Sequence, residues 1–259
     1  MIPGYASFNA AIDHLVDQLK IHGALVDAGR WQGVPTEGHP DLVTLELMDV
    51  AFKVPVSHDL TVLREEIKPN LPWADEHFEE RVSRIPSNPG NAYLNWPHWQ
   101  GQQVQSMAGD IFTHTYQERF WPTKIPALAD GIRYPYGDAD SVVGLLRQDP
   151  YSRQATLPIF FPEDTGAVHG GRIPCTLHYH FMLRNGRLHM WYAIRSCDAV
   201  RHFRDDLYMA ARLLLWVLSE LRYESADDFW GEIEPGWLSF HCYSFHVHKG
   251  DLHQLTKSA

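Results

Sequence analysis

Residues 173–198, IPCTLHYHFMLRNGRLHMWYAIRSCD, decide the fold. Ile173–Met182 and Leu188–Arg195 read as strands, and the Arg184-Asn185-Gly186-Arg187 between them holds the Asn-Gly pair favoured by tight hairpin turns. Alternation along the first strand puts Cys175, Leu177, Tyr179 and Phe181 on one face, and Thr176, His178 and His180 on the other. Arg195 lies on the paired strand, where a guanidinium can stabilise a thiolate at Cys175. Downstream, Asp205–Leu221 is apolar on nearly all sides, the mark of a helix buried in the middle of a domain, and Trp237–Val247 supplies a last strand.

Upstream, Phe8, Ile12, Leu15, Val16 and Leu19 recur at helical spacing. Asp41–Pro55 contains an apolar strand segment, and Asp59–Ile67 reads as a short helix capped by Asp59. Lys68–Gln100, rich in proline and tryptophan, reads as a packed irregular segment with short helices, too aromatic for disorder. Asp140–Arg147 reads as a helix ended by Asp149-Pro150, and Gln154–Phe161 as an apolar strand. This order predicts an α/β fold, a mixed β-sheet with a central buried helix and surrounding helices, in one domain spanning 1–259.

With 259 residues, 44% hydrophobic, the chain can bury a large core. Asp13, His14, Asp17 and Gln18 interrupt Met1–Lys20, so no secretory or membrane segment is expected there. Three cysteines, an odd number, predict free thiols in a reducing cytoplasm. A formal charge of −10 argues against gripping a nucleic-acid backbone, which needs clustered Lys and Arg. Any nucleotide handled is expected to be small.

The chemistry-bearing residues group in order. Cys175 is either a small buried apolar residue or, beside Arg195, a nucleophile. Arg195-Ser196 offers a planar donor fork and a hydroxyl suited to phosphate, and Ser152-Arg153 repeats the pair. His178, His180, His241, His246 and His248 are of metal-ligand type, but no Cys or acidic partners accompany them at recognisable spacing, and no metal is expected.

The run Asp149-Pro150-Tyr151-Ser152-Arg153, Pro174-Cys175, Arg195-Ser196-Cys197-Asp198 and His241-Cys242-Tyr243-Ser244 resembles, in order and spacing, the motifs of the thymidylate synthase superfamily. Asp27-Ala28-Gly29-Arg30 fits that family's phosphate-binding arginine loop. The likeness is densest over Asp140–His246. It implies a homodimer acting on a pyrimidine nucleoside monophosphate with 5,10-methylenetetrahydrofolate. In it Cys175 adds to carbon 6 and makes carbon 5 nucleophilic. Arg30, Arg195 and Ser196 hold phosphate, with Arg153 donated by a second subunit. Asp198 stands near base and folate, His241 and Tyr243 bind the sugar hydroxyl, and Glu65, with Glu66 as a rival, relays protons.

Phe203-Arg204-Asp205-Asp206 resembles the corresponding segment of phage dCMP hydroxymethylases. Synthases acting on dUMP carry asparagine at the position of Asp206. A carboxyl there can accept from the cytosine amine and, protonated, donate to the ring nitrogen, so the resemblance implies dCMP 5-hydroxymethylation. Helix capping is the other reading of Asp206. Only 13 residues follow His246, which is expected to favour water over hydride as final nucleophile. Gln154 and Phe245 depart from the family pattern and bear on the phosphate and sugar contacts. CMP hydroxymethylation, dUMP methylation or hydroxymethylation, and a nucleotide-binding role without catalysis are the alternatives.

Overall fold

Asn185 and Gly186 adopt φ of 52° and 69°, the left-handed pair that a two-residue hairpin turn requires. The computed structural model describes residues 2–31, 34–98, 107–108, 111–122, 137–167, 172–223 and 229–255. Its strands are β1 (Ala24–Val26), β2 (Arg30–Trp31), β3 (Val34–Pro35), β4 (Thr44–Pro55), β5 (Met107–Ala108), β6 (Ile111–Phe112), β7 (Thr156–Pro158), β8 (Thr176–Arg184), β9 (Arg187–Asp198) and β10 (Glu234–His248). A six-stranded sheet runs β1-β4-β10-β9-β8-β7, antiparallel except where β10 lies parallel to β9. The remaining strands form two small ladders, β2-β3 and β5-β6.

Helix α1 (Phe8–His22) starts at Ser7, whose side chain accepts from the Ala10 amide, and buries Phe8, Ile12, Leu15 and Leu19. Helix α2 (Leu60–Ile67) is capped by Asp59, as the sequence predicts. The segment 68–98 holds short helices, as the sequence predicts, among them α3 (Trp73–Val82). Gln154–Phe161 is less regular: only Thr156–Pro158 pairs as strand, since the Ile159 and Phe160 amides both turn to the Leu177 carbonyl. The helix Ala139–Gln148 ends where Asp149-Pro150 predicts.

The central helix Phe203–Tyr223 buries Leu207, Leu213, Leu214, Val217, Leu218 and Leu221. Each fully buried side chain of this size contributes about 1.5–3 kcal/mol. Phe203 anchors the helix to the sheet, with ring centroids 4.7 Å from Phe245, 5.5 Å from Phe240 and 6.4 Å from Phe52. Among the described residues no helix is long and apolar enough to cross a membrane.

One irregularity positions the site. On β4 the core takes Val50, Phe52 and Val54, but Leu45 and Leu47 on the other side of Asp49, whose φ is 56°. On β10 it takes Phe240 and Cys242, then Phe245 and Val247. On β9 it takes Tyr192 and Ile194, then Cys197. Pairing skips Asp49, Tyr243 and Arg195 at this level, a step in each strand with the same register on either side. Strand alternation has period two, so each step exchanges which parity faces the core. On β8 a register shift between Thr176 and His178 does the same. Thr176, not Cys175, therefore joins Tyr179 and Phe181 in the core, its Oγ1 3.1 Å from the Tyr192 hydroxyl. This corrects the simple alternation expected for the strand.

Candidate active site

Arg30, Cys175, Arg195, Ser196, Asp198 and Asp206 line one cavity of about 670 Å³. That lies within the roughly 300–1,000 Å³ of small-molecule sites. Cys175 sits just before β8, where its carbonyl accepts from the Arg195 amide at 2.9 Å. The Arg195 side chain clamps the same segment: Nε donates to the Pro174 carbonyl at 3.0 Å and Nη2 to the Ile173 carbonyl at 3.1 Å. Nη2 also stands 3.8 Å from the Cys175 sulfur. Burial pushes the Cys175 thiol up, while Arg195 and Arg172 pull it down without overcoming burial. The resting group is a thiol.

Arg30, Arg172, Arg195 and Ser196 give the cavity a cationic, hydrogen-bonding wall. The turn that presents Arg30 needs glycine, since Gly29 has φ of 71°. Asp27 braces it, accepting from the Gly29 amide and the Thr36 hydroxyl.

The acidic dipeptide at the start of the central helix divides its labour. Asp205 turns away from the cavity and accepts from the Asn70 amide at 2.7 Å and its side-chain amide at 2.8 Å. Asp206 lines the cavity. Its own amide donates to the His202 carbonyl at 2.8 Å, so it lies within the helix and the capping reading does not hold. Its Oδ2 lies 3.9 Å from the Cys197 sulfur. Burial pushes the Asp206 carboxyl up to about 7, against the pull of Arg81 and with a further push from Asp205. Arg81 is itself buried, its guanidinium 4.0 Å from the centre of the Tyr116 ring. The Tyr116 hydroxyl lies 3.0 Å from Thr176 Oγ1, next in sequence to Cys175.

Sequence reasoning missed the wall built by α3. Trp73, His77 and Arg81 recur every fourth residue and all line the cavity. Trp73 stacks on His77 at 5.1 Å and packs against Trp96 at 5.9 Å, and Trp96 stacks on His202 at 5.0 Å. The spacing of four was legible, but proline on either side masked the helix.

Four expected residues lie outside the cavity lining: Glu65, Arg153, His241 and Tyr243. Glu65 is exposed on α2, and Glu66 accepts from the Phe8 amide at 2.9 Å, at the start of α1. Neither reaches the cavity. Glu65→Ala is expected to leave turnover within about twofold and stability within about 0.5 kcal/mol, checked by initial rates and urea titration. Arg153 is exposed. His241 precedes the step in β10 and Tyr243 stands on it, 54% exposed, whereas Ser244, His246 and His248 beyond it line the cavity.

Asp198, His246 and His248 bring one ligand-type atom each within 4.8 Å of one another. The donor types suit a divalent metal, but the Arg201 guanidinium lies 3.8 Å from Asp198 Oδ2, the oxygen that also sits 3.8 Å from His248 Nε2. A guanidinium already supplies the counter-charge a cation would bring. Burial raises the Asp198 carboxyl, but His202, His246 and the Arg201 and Val200 amides outweigh it and hold the group below its usual value. Burial keeps His248 neutral, and its Nδ1 donates to the Leu42 carbonyl at 3.3 Å, leaving Nε2 as an acceptor.

No family model matches the chain. The chain is similar to proteins named "Putative thymidylate synthase" from species of Methanosarcina. With that of Methanosarcina acetivorans it is 24% identical over 189 residues, 72% of this chain and 68% of that protein. The figures for Methanosarcina mazei are 24% over 187 residues, 72% and 68%, and for Methanosarcina barkeri 23% over 181 residues, 69% and 64%. A mixed sheet packed on a buried central helix, in a chain with this likeness, is a thymidylate synthase-like α/β fold, and the relatives support placing the chain in that superfamily.

Proposed function

We propose that the chain is a one-carbon transferase that hydroxymethylates carbon 5 of a cytidine monophosphate, with dCMP as its substrate. The observation that carries this reading is Asp206, a half-buried carboxyl in the cavity wall with its pKa raised to about 7. Cytosine presents an amino donor beside a ring-nitrogen acceptor. A neutral carboxyl answers both, its carbonyl oxygen accepting and its hydroxyl donating, and unlike a carboxamide it can pass that proton to the ring nitrogen.

The other roles follow from position. Arg30, Arg172, Arg195 and Ser196 hold the phosphate. Cys175 bonds to carbon 6, and the Asp206 proton on the ring nitrogen draws off the charge that develops across the base. Carbon 5 then bonds to the one-carbon unit and gives up its hydrogen as a proton, the bond from that unit to its carrier breaks, water adds to the carbon left attached, and Cys175 departs to restore the ring double bond. His246 and His248 take the sugar-hydroxyl contacts that the resemblance gave to His241 and Tyr243. Asp198, held ionised between His202 and His246, orients them.

5,10-Methylenetetrahydrofolate, when bound, supplies the one-carbon unit as an electrophile. The aromatic wall fits it: Trp73 Nε1, Trp96 Nε1 and Gln117 Oε1 are buried with no partner among the described residues, two donors and an acceptor beside a flat stacking face. The expected homodimer belongs to the same reading, because Arg153 lies outside its own chain's cavity and serves a phosphate only in a second copy's.

Separate incubations with methylenetetrahydrofolate and dCMP, CMP or dUMP, with products identified by mass, test the reading. A hydroxymethyl adduct on dCMP is expected, and one on CMP alone would move the substrate to the ribonucleotide. A methyl adduct on dUMP with dihydrofolate release would overturn it.

A further inference from the structure

The site lacks the proton carrier assigned from sequence, since Glu65 and Glu66 lie outside the cavity. The carboxylates that line it are Glu46, Asp198 and Asp206 among the described residues. Asp198 Oδ1 accepts from the Val200 and Arg201 amides, and Arg201 lies beside Oδ2. Asp206 faces the base in the reading above. Glu46 sits on β4 across from His246, at the sugar end of the cavity.

The α3 wall offers a different group. Each of its cavity residues has a buried polar atom without a partner among the described residues: Trp73 Nε1, His77 Nδ1 and Arg81 Nε. Buried polar groups are nearly always satisfied, so such a cluster marks where water or ligand belongs. His77 is the one of these whose side chain can both accept and hand on a proton, through its two ring nitrogens. It stands one helical turn from Arg81, which packs on Tyr116, which in turn reaches Thr176 beside Cys175. Burial, then Arg81 and His202, hold its imidazole neutral.

We propose that His77 is the proton carrier of this site, holding a water in the cavity and moving protons between that water and carbon 5 of the nucleotide. The inference rests on the cytidylate reading and gives its acid–base role to an imidazole on α3. In the simplest half-reaction, sulfur bonds to carbon 6 as the carbon 5–carbon 6 double bond opens. The thiol proton passes to the imidazole and its water, and a proton from this pair ends on carbon 5. In reverse, the imidazole takes the other hydrogen from carbon 5, the electron pair restores the double bond, and the sulfur–carbon 6 bond breaks. The net result is exchange of the carbon 5 hydrogen with solvent, with no oxidant, reductant or folate.

The test is therefore folate-free. Protein and dCMP are incubated in heavy water and loss of the carbon 5 proton signal is followed by NMR, with dCMP affinity and thermal midpoint measured alongside. Wild type is expected to exchange, His77→Gln to exchange about 100-fold more slowly with dCMP affinity retained, and His77→Glu to recover part of the rate. Exchange at the wild-type rate in His77→Gln would overturn the inference and leave the substrate reading standing. So would loss of exchange in Glu46→Gln with His77→Gln unimpaired. A wild type that exchanges none of dCMP, CMP and dUMP would overturn both.

Discussion

Replacing Cys175 by serine is expected to lower hydroxymethyl-dCMP formation on the order of 10³-fold or more, with dCMP binding retained. The sulfur sits 3.8 Å from Arg195 Nη2, and that guanidinium keeps its bonds to the Pro174 and Ile173 carbonyls whatever follows Pro174. The arginine wall therefore stays in place while the thiol is lost. Because burial holds the resting thiol above its usual pKa, attack is coupled to proton removal, a step at which a serine hydroxyl with its far higher pKa fails. Turnover by mass and isothermal titration with dCMP separate the two effects. Full turnover in the serine variant would remove the covalent route.

Asp206→Asn is expected to move base preference from cytosine toward uracil, by a factor on the order of 10²–10³. The carboxamide can pair with uracil but cannot give a proton to the cytosine ring nitrogen, so stabilisation of the charged base, about 2.7–4 kcal/mol for one lost donor, is lost on dCMP alone. The measurement is kcat/KM on dCMP and dUMP for both proteins, and unchanged selectivity would sink the argument. The wild-type enzyme should lose activity on dCMP as pH rises through about 7, when Asp206 gives up its proton. Stability has the same sign. The carboxyl rises from 3.8 in the unfolded chain to about 7 in the fold, so its favourable contribution is complete below 3.8 and is lost as pH rises to about 7. A shift of about three units corresponds to about 4 kcal/mol. Asparagine stays neutral throughout, so the variant should gain stability over wild type at about pH 8 and not at about pH 4, read from urea midpoints.

The elements were legible where local chemistry alone decides them. Asp59 as a cap, Asn185-Gly186 as a turn and Asp149-Pro150 as a stop each act within a few residues. Cys175, Arg195, Ser196, Asp198, Asp206 and Arg30 were legible because their motifs keep order along the chain, and they converge on one cavity. His241 and Tyr243 were not, because the step at Tyr243 arises from pairing with β4 and β9, remote in sequence. That Glu65 lies outside the cavity was not legible for a related reason: the periodicity of α2 shows which face is apolar, but not which neighbour its polar face meets.

The aligned step in β4, β9 and β10 has a consequence for how this architecture tolerates change. Each of these strands is in effect two short strands spliced half a period out of phase, one answering to core volume and the other to ligand chemistry. A point substitution stays within its own half. Deleting Tyr243 would instead slide the phase of the whole far half, turning Phe245 and Val247 toward the cavity and burying His246. Divergence at this site is thus free to proceed by exchange of side chains, while the spacing across the splice is fixed by all three strands at once.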